Sequence, residues 1–89
     1  MKVQASHILV ATLAEAETLL EQLANGADFG TLAAQHSKCP SGGDGGDLGV
    51  FGRGQMVLAF ETATYVLPVG EISQPIQTQF GYHLIKRTA

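Results

Sequence analysis

The chain has 89 residues, the length of one small domain, and we expect residues 1–89 to form a single domain. Its eight acidic and five basic side chains give a net charge of −3, which argues against nucleic-acid binding because phosphate recognition needs clustered Lys and Arg. No stretch approaches the ~20 apolar residues of a membrane span, no signal peptide is expected, and the single cysteine, which has no disulfide partner within the chain, favours a cytoplasmic location.

A strand and a helix are predicted at the start of the chain. Residues 3–10 place apolar side chains on both faces of an extended segment, which is typical of a central strand. Thr12, followed three residues later by Glu15, is a capping-box pattern, and the apolar repeat behind it predicts a helix. Asn25 and Gly26 are typical of the end of such a helix, because both tolerate a left-handed conformation.

A glycine-rich loop is predicted between a second helix and a second strand. The helix is expected from Asp28 to His36, and His36 is interpreted as a structural residue at the helix C-terminus. Residues 37–49 are predicted to be loop because of their Pro and Gly content, with room for one extra short helix around Cys39. The glycine run lacks the Lys-Ser/Thr of a phosphate loop and is a single copy of a pattern that calcium-binding repeats stack many times, so neither ligand is expected.

The remaining residues are predicted to form two strands, one helix and an edge segment. A short strand is expected at 48–52, and apolar residues at helical spacing from 56 to 67 predict a third helix that ends before Pro68. Residues 72–78 are interpreted as an extended edge segment, where proline is tolerated, and residues 82–87 as the last strand. The order β-α-α-β-α-β-β indicates an α+β fold with helices on both faces of one sheet.

Four short segments resemble, in order, those of the parvulin family of peptidyl-prolyl cis/trans isomerases. Their key residues are His7 in Ser6-His7-Ile8-Leu9-Val10, Cys39 in residues 37–43, Met56 and Phe60 in residues 52–60, and His83 in residues 80–87. Any one segment would be weak support, whereas four in the right order over so short a chain are strong. The resemblance implies the parvulin (FKBP-like) fold, a four-stranded antiparallel sheet flanked by helices, with the first and last strands paired at its centre.

The resemblance also implies an enzyme that speeds rotation about Xaa–Pro bonds in peptides and in unfolded or folding proteins. The barrier to this rotation, roughly 18–20 kcal/mol, is the loss of amide resonance, so no bond is broken and no proton has to move. A catalyst needs an apolar slot for the proline ring and polar groups that favour the twisted amide over the planar one. No cofactor and no metal ion are expected.

Individual site residues follow from the same resemblance. His7, Cys39 and His83 would form the catalytic polar part of the site, with Cys39 facing the reacting carbonyl group. The residues assigned to the substrate are Leu48, Met56, Phe60, Thr78 and Phe80. Thr78 would also join the histidine pair through its hydroxyl group.

Each of these assignments has a plainer alternative. The spacing of Met56 and Phe60 is typical of a helix that packs on a core, the two histidines could be core residues, and a free thiol such as Cys39 is often buried. A thiolate could attack the amide carbon, but Asp also occurs at the Cys39 position in the family, which favours an electrostatic role. His7, Cys39 and His83 could bind adventitious zinc if they cluster.

Two departures from the family bear on the substrate. Residues 11–15 contain no Lys or Arg, whereas phospho-specific parvulins have a long basic loop there, so the residue before proline is expected to be unphosphorylated and either uncharged or apolar. Leu58 stands where many relatives have proline, at the edge of the slot. A monomer is expected. The alternative function is a peptide-binding or chaperone module on the same fold with little isomerase activity.

Overall fold

The computed structural model describes residues 2–89, which form eight elements in the order predicted from the sequence. They are β1 (Lys2–Val10), α1 (Leu13–Ala24), α2 (Phe29–His36), a 3-10 helix (Pro40–Asp44), β2 (Asp47–Gly52), α3 (Leu58–Val66), β3 (Ile76–Thr78) and β4 (Gly81–Arg87). The extra short helix expected around Cys39 is the 3-10 helix, and the predicted loop at 37–49 is too long at its end because β2 begins at Asp47. Within residues 2–89, no helix combines the length and the apolar character needed to cross a membrane.

One antiparallel sheet with the strand order β2-β1-β4-β3 forms the centre of the molecule. β1 and β4 pair at the middle of the sheet, from Ala5 opposite Arg87 to Val10 opposite Tyr82. The predicted central pairing of the first and last strands is therefore confirmed.

Two apolar cores lie on opposite faces of this sheet. On the face covered by α1 and α2, the buried residues are Ile8, Val10, Ala16, Leu19, Phe29, Leu32, Ala33 and Leu84. On the face covered by α3, they are Val3, Ala5, Phe51, Phe60 and Ile85. β1 and β4 supply residues to both cores, because successive side chains of a strand point to opposite faces.

Side chains cap the first two helices where the sequence predicted. The Thr12 Oγ1 accepts a hydrogen bond from the Glu15 backbone N–H at 3.2 Å, and the Thr12 hydroxyl donates to the Glu15 carboxylate at 3.1 Å. At the start of α2, Asp28 Oδ2 accepts from the Thr31 backbone N–H at 2.9 Å. Each cap supplies an acceptor to a backbone N–H that has no partner within its helix.

α3 is shorter than the apolar stripe that predicted it. The helix spans Leu58–Val66, so Met56 precedes it and Leu67 follows it. Leu67 is extended because the next residue, Pro68, disfavours a helical conformation in the residue before it. The stripe therefore continues beyond both ends of the helix as side chains that pack on the same core, with Met56 and Leu67 both half-buried against it.

β3 is also shorter than predicted, covering Ile76–Thr78 rather than the whole segment 72–78. Pro75 has no N–H group to donate and so cannot extend the ladder. Before it, Ile72 forms one isolated bridge with Lys86. The edge segment is extended as expected, but only its last three residues pair as a regular strand.

Gly46, just before β2, packs closely against the backbone of His7 in β1, and only glycine fits there. Its φ is +84°, its carbonyl accepts from the His7 backbone N–H at 2.9 Å, and a Cβ would collide with the His7 carbonyl oxygen. We predict that Gly46→Ala lowers the free energy of unfolding by about 2 kcal/mol or more. Urea unfolding followed by circular dichroism measures this change.

Gly43→Ala is the matched control for that substitution. Gly43 is exposed, and a Cβ added there meets nothing within 4 Å. We expect its unfolding free energy to change by less than ~0.5 kcal/mol. Equal stability of the Gly43 and Gly46 variants would contradict the close approach at His7.

Candidate active site

A cavity of about 380 Å³ opens between β1, the Cys39 segment, the start of α3 and β4. The residues that line it are His7, Leu9, Lys38, Cys39, Pro40, Leu48, Met56, Val57, Phe60, Phe80 and His83. It therefore brings together every site residue predicted from the sequence except Thr78. A second cavity, of about 300 Å³, lies beside α1 and includes His36 but none of those predicted site residues.

Phe60 belongs to the core and to the cavity at once. It is 2% exposed and packs with the core on the α3 face. Its ring meets the His7 ring edge-on at a centroid distance of 5.5 Å and the His83 ring edge-on at 5.2 Å. The two readings of the Met56 and Phe60 spacing, as core and as cavity wall, are therefore compatible, because the floor of the cavity is the surface of the core.

The two histidines form a direct hydrogen bond between neighbouring strands. His7 Nδ1 lies 3.0 Å from His83 Nδ1, and the rings are stacked with centroids 5.1 Å apart. In the strand register His7 is opposite Ile85 and His83 is opposite Leu9, so the histidines are diagonal neighbours. A bond between two Nδ1 atoms needs one proton, so one ring donates and the other accepts.

Thr78 extends this pair through a hydrogen bond to His83 and does not line the cavity. Its Oγ1 lies 2.7 Å from His83 Nε2 and accepts from the Phe80 backbone N–H at 3.2 Å. Both ring nitrogens of His83 therefore have partners, as expected from the sequence. His7 Nε2 is buried and has no partner among the described residues. Thr78, which was assigned to the substrate from the sequence, is thus bonded to His83, where it can orient the ring, and it does not line the cavity.

Both histidines are neutral at neutral pH. Burial, with a further contribution from the nearby His83, lowers the pKa of His7 from 6.5 to about 4. Burial also lowers the pKa of His83. The pair therefore supplies hydrogen-bonding groups without a charge on the floor of the cavity.

Cys39 is held against the end of β1 by its neighbours. Ser37 Oγ accepts from the Leu9 backbone N–H at 3.0 Å and from the Cys39 backbone N–H at 3.3 Å. The Ser41 hydroxyl donates to the Cys39 sulfur at 3.3 Å. Cys39 is half-buried and belongs to neither apolar core, which argues against a purely structural thiol.

The turn that carries Met56 is held by a buried carboxylate. Glu61 is 4% exposed, and its Oε1 accepts from the Gly54 backbone N–H at 2.6 Å. Its Oε2 lies 3.2 Å from Arg53 Nη1, and the Arg53 guanidinium stacks 4.2 Å from the centroid of the Tyr65 ring. These contacts join α3 to the preceding turn and so fix the backbone beside Met56.

Four lining residues were not predicted from the sequence: Leu9, Lys38, Pro40 and Val57. Leu9 lies on the same face of β1 as His7, and Lys38 and Pro40 flank Cys39, so their positions follow once those two residues are placed. Across residues 2–89, no three His, Cys, Asp or Glu side chains are grouped to hold a metal ion.

A family comparison accounts for this arrangement. Residues 4–89 match the model described as "Rotamase: PPIC-type PPIASE domain". The chain belongs to the PPIC-type peptidyl-prolyl isomerase domain family. The parvulin resemblance seen in the four sequence segments is thereby confirmed.

Named relatives and solved structures agree with this assignment. The chain is 51% identical over 88 residues to the foldase protein PrsA of Geobacillus sp. (strain WCH70), a match that covers 98% of this chain and 32% of that protein. It is 56% identical over 68 residues to the peptidyl-prolyl cis-trans isomerase Pin1 of Digitalis lanata, covering 76% of this chain and 58% of the relative. The solution structure of NmPin, the parvuline of Nitrosopumilus maritimus, has a TM-score of 0.89 at 46% identity and covers 99% of this chain and 96% of that chain. The chain thus spans about a third of the length of its PrsA relative and nearly all of NmPin.

The buried histidines predict that stability falls as the pH is lowered. The pKa of each is lower in the folded protein than in the unfolded chain, so the unfolded state takes up protons first. The stability that depends on neutral His7 is complete above pH 6.5 and is lost as the pH falls towards 4. We expect the unfolding free energy to drop by roughly 1–2 kcal/mol between about pH 7.5 and pH 5.5, measured by urea unfolding.

Two variants assign this pH dependence to its source. His7→Leu should weaken it, because one of the two buried rings is gone while His83 remains. His36→Gln should leave it intact, because His36 is exposed. A pH dependence that His7→Leu leaves unchanged would show that His7 is not the group responsible.

Proposed function

We propose that this chain is a peptidyl-prolyl cis/trans isomerase acting on exposed Xaa–Pro bonds in peptides and in unfolded or folding proteins, without a requirement for phosphorylation. The main support is one observation. An apolar slot formed by Leu48, Met56 and Phe60 opens beside the Cys39 thiol and the two neutral histidines. This lining offers the apolar surface and the polar groups that rotation of a prolyl amide needs.

The slot would act by holding one side of the amide while the other side turns. A proline ring packed against Met56 and Phe60 fixes the nitrogen side of the bond, so rotation has to move the carbonyl of the preceding residue. We propose that this carbonyl turns beside Cys39, since Cys39 lines the same cavity as Met56 and Phe60 and its sulfur accepts a hydrogen bond from the Ser41 hydroxyl. Each 1.4 kcal/mol by which these contacts favour the twisted amide over the planar one gives about a tenfold rate increase.

The histidine pair would serve this site as a rigid polar floor. Both rings are buried, and each packs edge-on against Phe60. Their mutual hydrogen bond and the bond from His83 to Thr78 hold the ring orientations. We propose that His7 and His83 support Cys39 and the slot without exchanging protons with the substrate, since amide rotation transfers none.

We also propose that the 89 residues act as one domain, as a monomer and in the cytoplasm. The cavity is formed within one chain, which supports a monomer. The Cys39 thiol is free and half-buried, which supports a reducing compartment. No cofactor is proposed, because rotation about a bond requires none.

A peptide-binding or chaperone module is the second candidate function. Phe80, which lines the cavity, is 61% exposed, and Leu58, the next residue in the chain after the lining residue Val57, is 73% exposed. Exposed apolar groups of this size beside a cavity favour binding of unfolded chains, with or without catalysis. The measurement below separates the two functions.

The isomerase proposal predicts faster cis/trans exchange of Xaa–Pro peptides in the presence of the protein. Cys39→Ala should slow the catalysed exchange by about tenfold or more, because the group facing the carbonyl is lost. Cys39→Asp should retain more activity than Cys39→Ala if the role is electrostatic. NMR exchange spectroscopy on short peptides measures all three rates.

Met56 provides the test of the slot. Met56→Ala removes side-chain surface from the proline contact and should weaken peptide binding and slow exchange, whereas Met56→Leu keeps the volume and should retain most activity. Peptides that bind and yet exchange at the uncatalysed rate would reject the enzyme in favour of the binding module.

A further inference from the structure

We propose that Lys38 makes this site prefer an acidic residue immediately before proline, so that Glu–Pro bonds are isomerised faster than Gln–Pro bonds. This inference rests on the proposed isomerase function and adds a substrate class to it. It replaces the expectation, drawn from the sequence, that the residue before proline is uncharged or apolar.

Among residues 2–89, Lys38 is the one formally charged side chain in the lining of the cavity. The other lining residues are apolar or are the neutral Cys39, His7 and His83. The chain as a whole is acidic, with a net charge of −3, yet within the part that the structure describes no Asp or Glu lines this cavity. The substrate therefore meets a single positive charge beside an otherwise uncharged surface, where a carboxylate would be attracted and a second cation repelled.

The backbone of Lys38 is fixed while its side chain is available. Its N–H donates to the Leu9 carbonyl at 2.7 Å, in the segment that Ser37 also ties to β1. The residue is exposed, and its ammonium group forms no salt bridge with a carboxylate in the part of the chain that the structure describes. No carboxylate of residues 2–89 therefore competes with a substrate carboxylate for this ammonium group.

The order of residues along this segment indicates which substrate residue Lys38 would contact. In the proposed mechanism the carbonyl of the rotating bond faces Cys39, and that carbonyl belongs to the residue before proline. Lys38 is the adjacent residue, so its flexible four-carbon side chain can reach the side chain of that same substrate residue. The proline ring itself would pack against Met56 and Phe60, as proposed above.

The expected preference is modest because the pair remains in contact with solvent. An exposed Lys–Glu pair favours Glu–Pro over Gln–Pro by about two- to fivefold at low salt. Screening should remove the preference at about 1 M salt, where the Debye length falls to ~3 Å. A preference based on shape alone would survive high salt.

The experiment compares two matched peptide pairs by NMR exchange spectroscopy. The first pair differs only before proline, Ala-Glu-Pro-Phe against Ala-Gln-Pro-Phe, and the second only after it, Ala-Pro-Glu-Phe against Ala-Pro-Gln-Phe. Each catalysed rate is divided by the rate of the same peptide without protein. We expect a two- to fivefold preference in the first pair at about 20 mM salt and a smaller one in the second.

Three variants then locate the charge responsible. Lys38→Met should bring the Glu/Gln ratio close to one, and Lys38→Glu should bring it below one. Lys2→Met is the control, because it removes the same charge from an exposed residue that does not line the cavity, and it should keep the ratio of the unmodified protein.

The outcomes separate this inference from the proposed function. Acceleration of all four peptides with equal Glu and Gln rates, or a preference that persists in Lys38→Met, would overturn the role of Lys38 and leave the isomerase intact. A preference confined to the pair that varies after proline would overturn the assigned position. Absence of acceleration for every peptide would instead reject the isomerase itself.

Discussion

The antiparallel pairing of β1 with β4 is the constraint on which the other features of this molecule depend. It joins residues 76 positions apart in the chain and sets His7 Nδ1 at 3.0 Å from His83 Nδ1. The same two strands supply side chains to both apolar cores. The remaining parts of the site attach to this pair: the Cys39 segment binds the end of β1 at Leu9, and β3 brings Thr78 to His83.

The site combines burial with electrical neutrality, and the two properties have a common cause. A histidine ring packed against Phe60 and covered by a second ring is poorly solvated, so its charged form is disfavoured. A reaction that needed a general acid would be poorly served by such a pair. Rotation about an amide moves no proton, so the fold can bury both rings at no cost to this chemistry. The positive charge of Lys38 lies at the exposed side of the cavity, where solvation is retained.

Much of the fold could be read from the sequence, because the signals there are local and periodic. Alternation in residues 3–10 indicated a strand covered on both faces, and Thr12 and Asp28 marked the helix starts that the structure shows. The extent of α3 could not be read so directly. An apolar stripe shows which side chains face the core, but it does not show whether the backbone that carries them is helical. Met56 faces the core from a turn that precedes α3. The backbone of that turn is held by a hydrogen bond from Gly54 to the Glu61 carboxylate, seven residues further along the chain. Such a bond between a side chain and the backbone leaves no periodic trace.

The part of the candidate site that was predicted from the sequence consists of individual residues that match a known family. The resemblance to a known family supplied the histidines, Cys39 and the slot residues, and the structure brings them to one cavity. It could not separate Thr78, which bonds to His83 without lining the cavity, from the residues that do line it. Lys38 was missed for a related reason. Its place in the cavity follows from the bond between its N–H and the Leu9 carbonyl, and nothing in its immediate sequence distinguishes it from any other exposed lysine.

The central place of β4 in the sheet has a consequence for the order of events during translation. β4, which pairs with β1 and carries His83, lies in residues 81–87. A nascent chain that has emerged only through α3 therefore contains His7, Cys39 and Phe60 but lacks the strand that completes the cavity. Until β4 emerges from the ribosome, the edge of β1 that pairs with β4 remains unpaired. A protein proposed to help other chains fold would thus be inactive until nearly the last of its own described residues has left the exit tunnel.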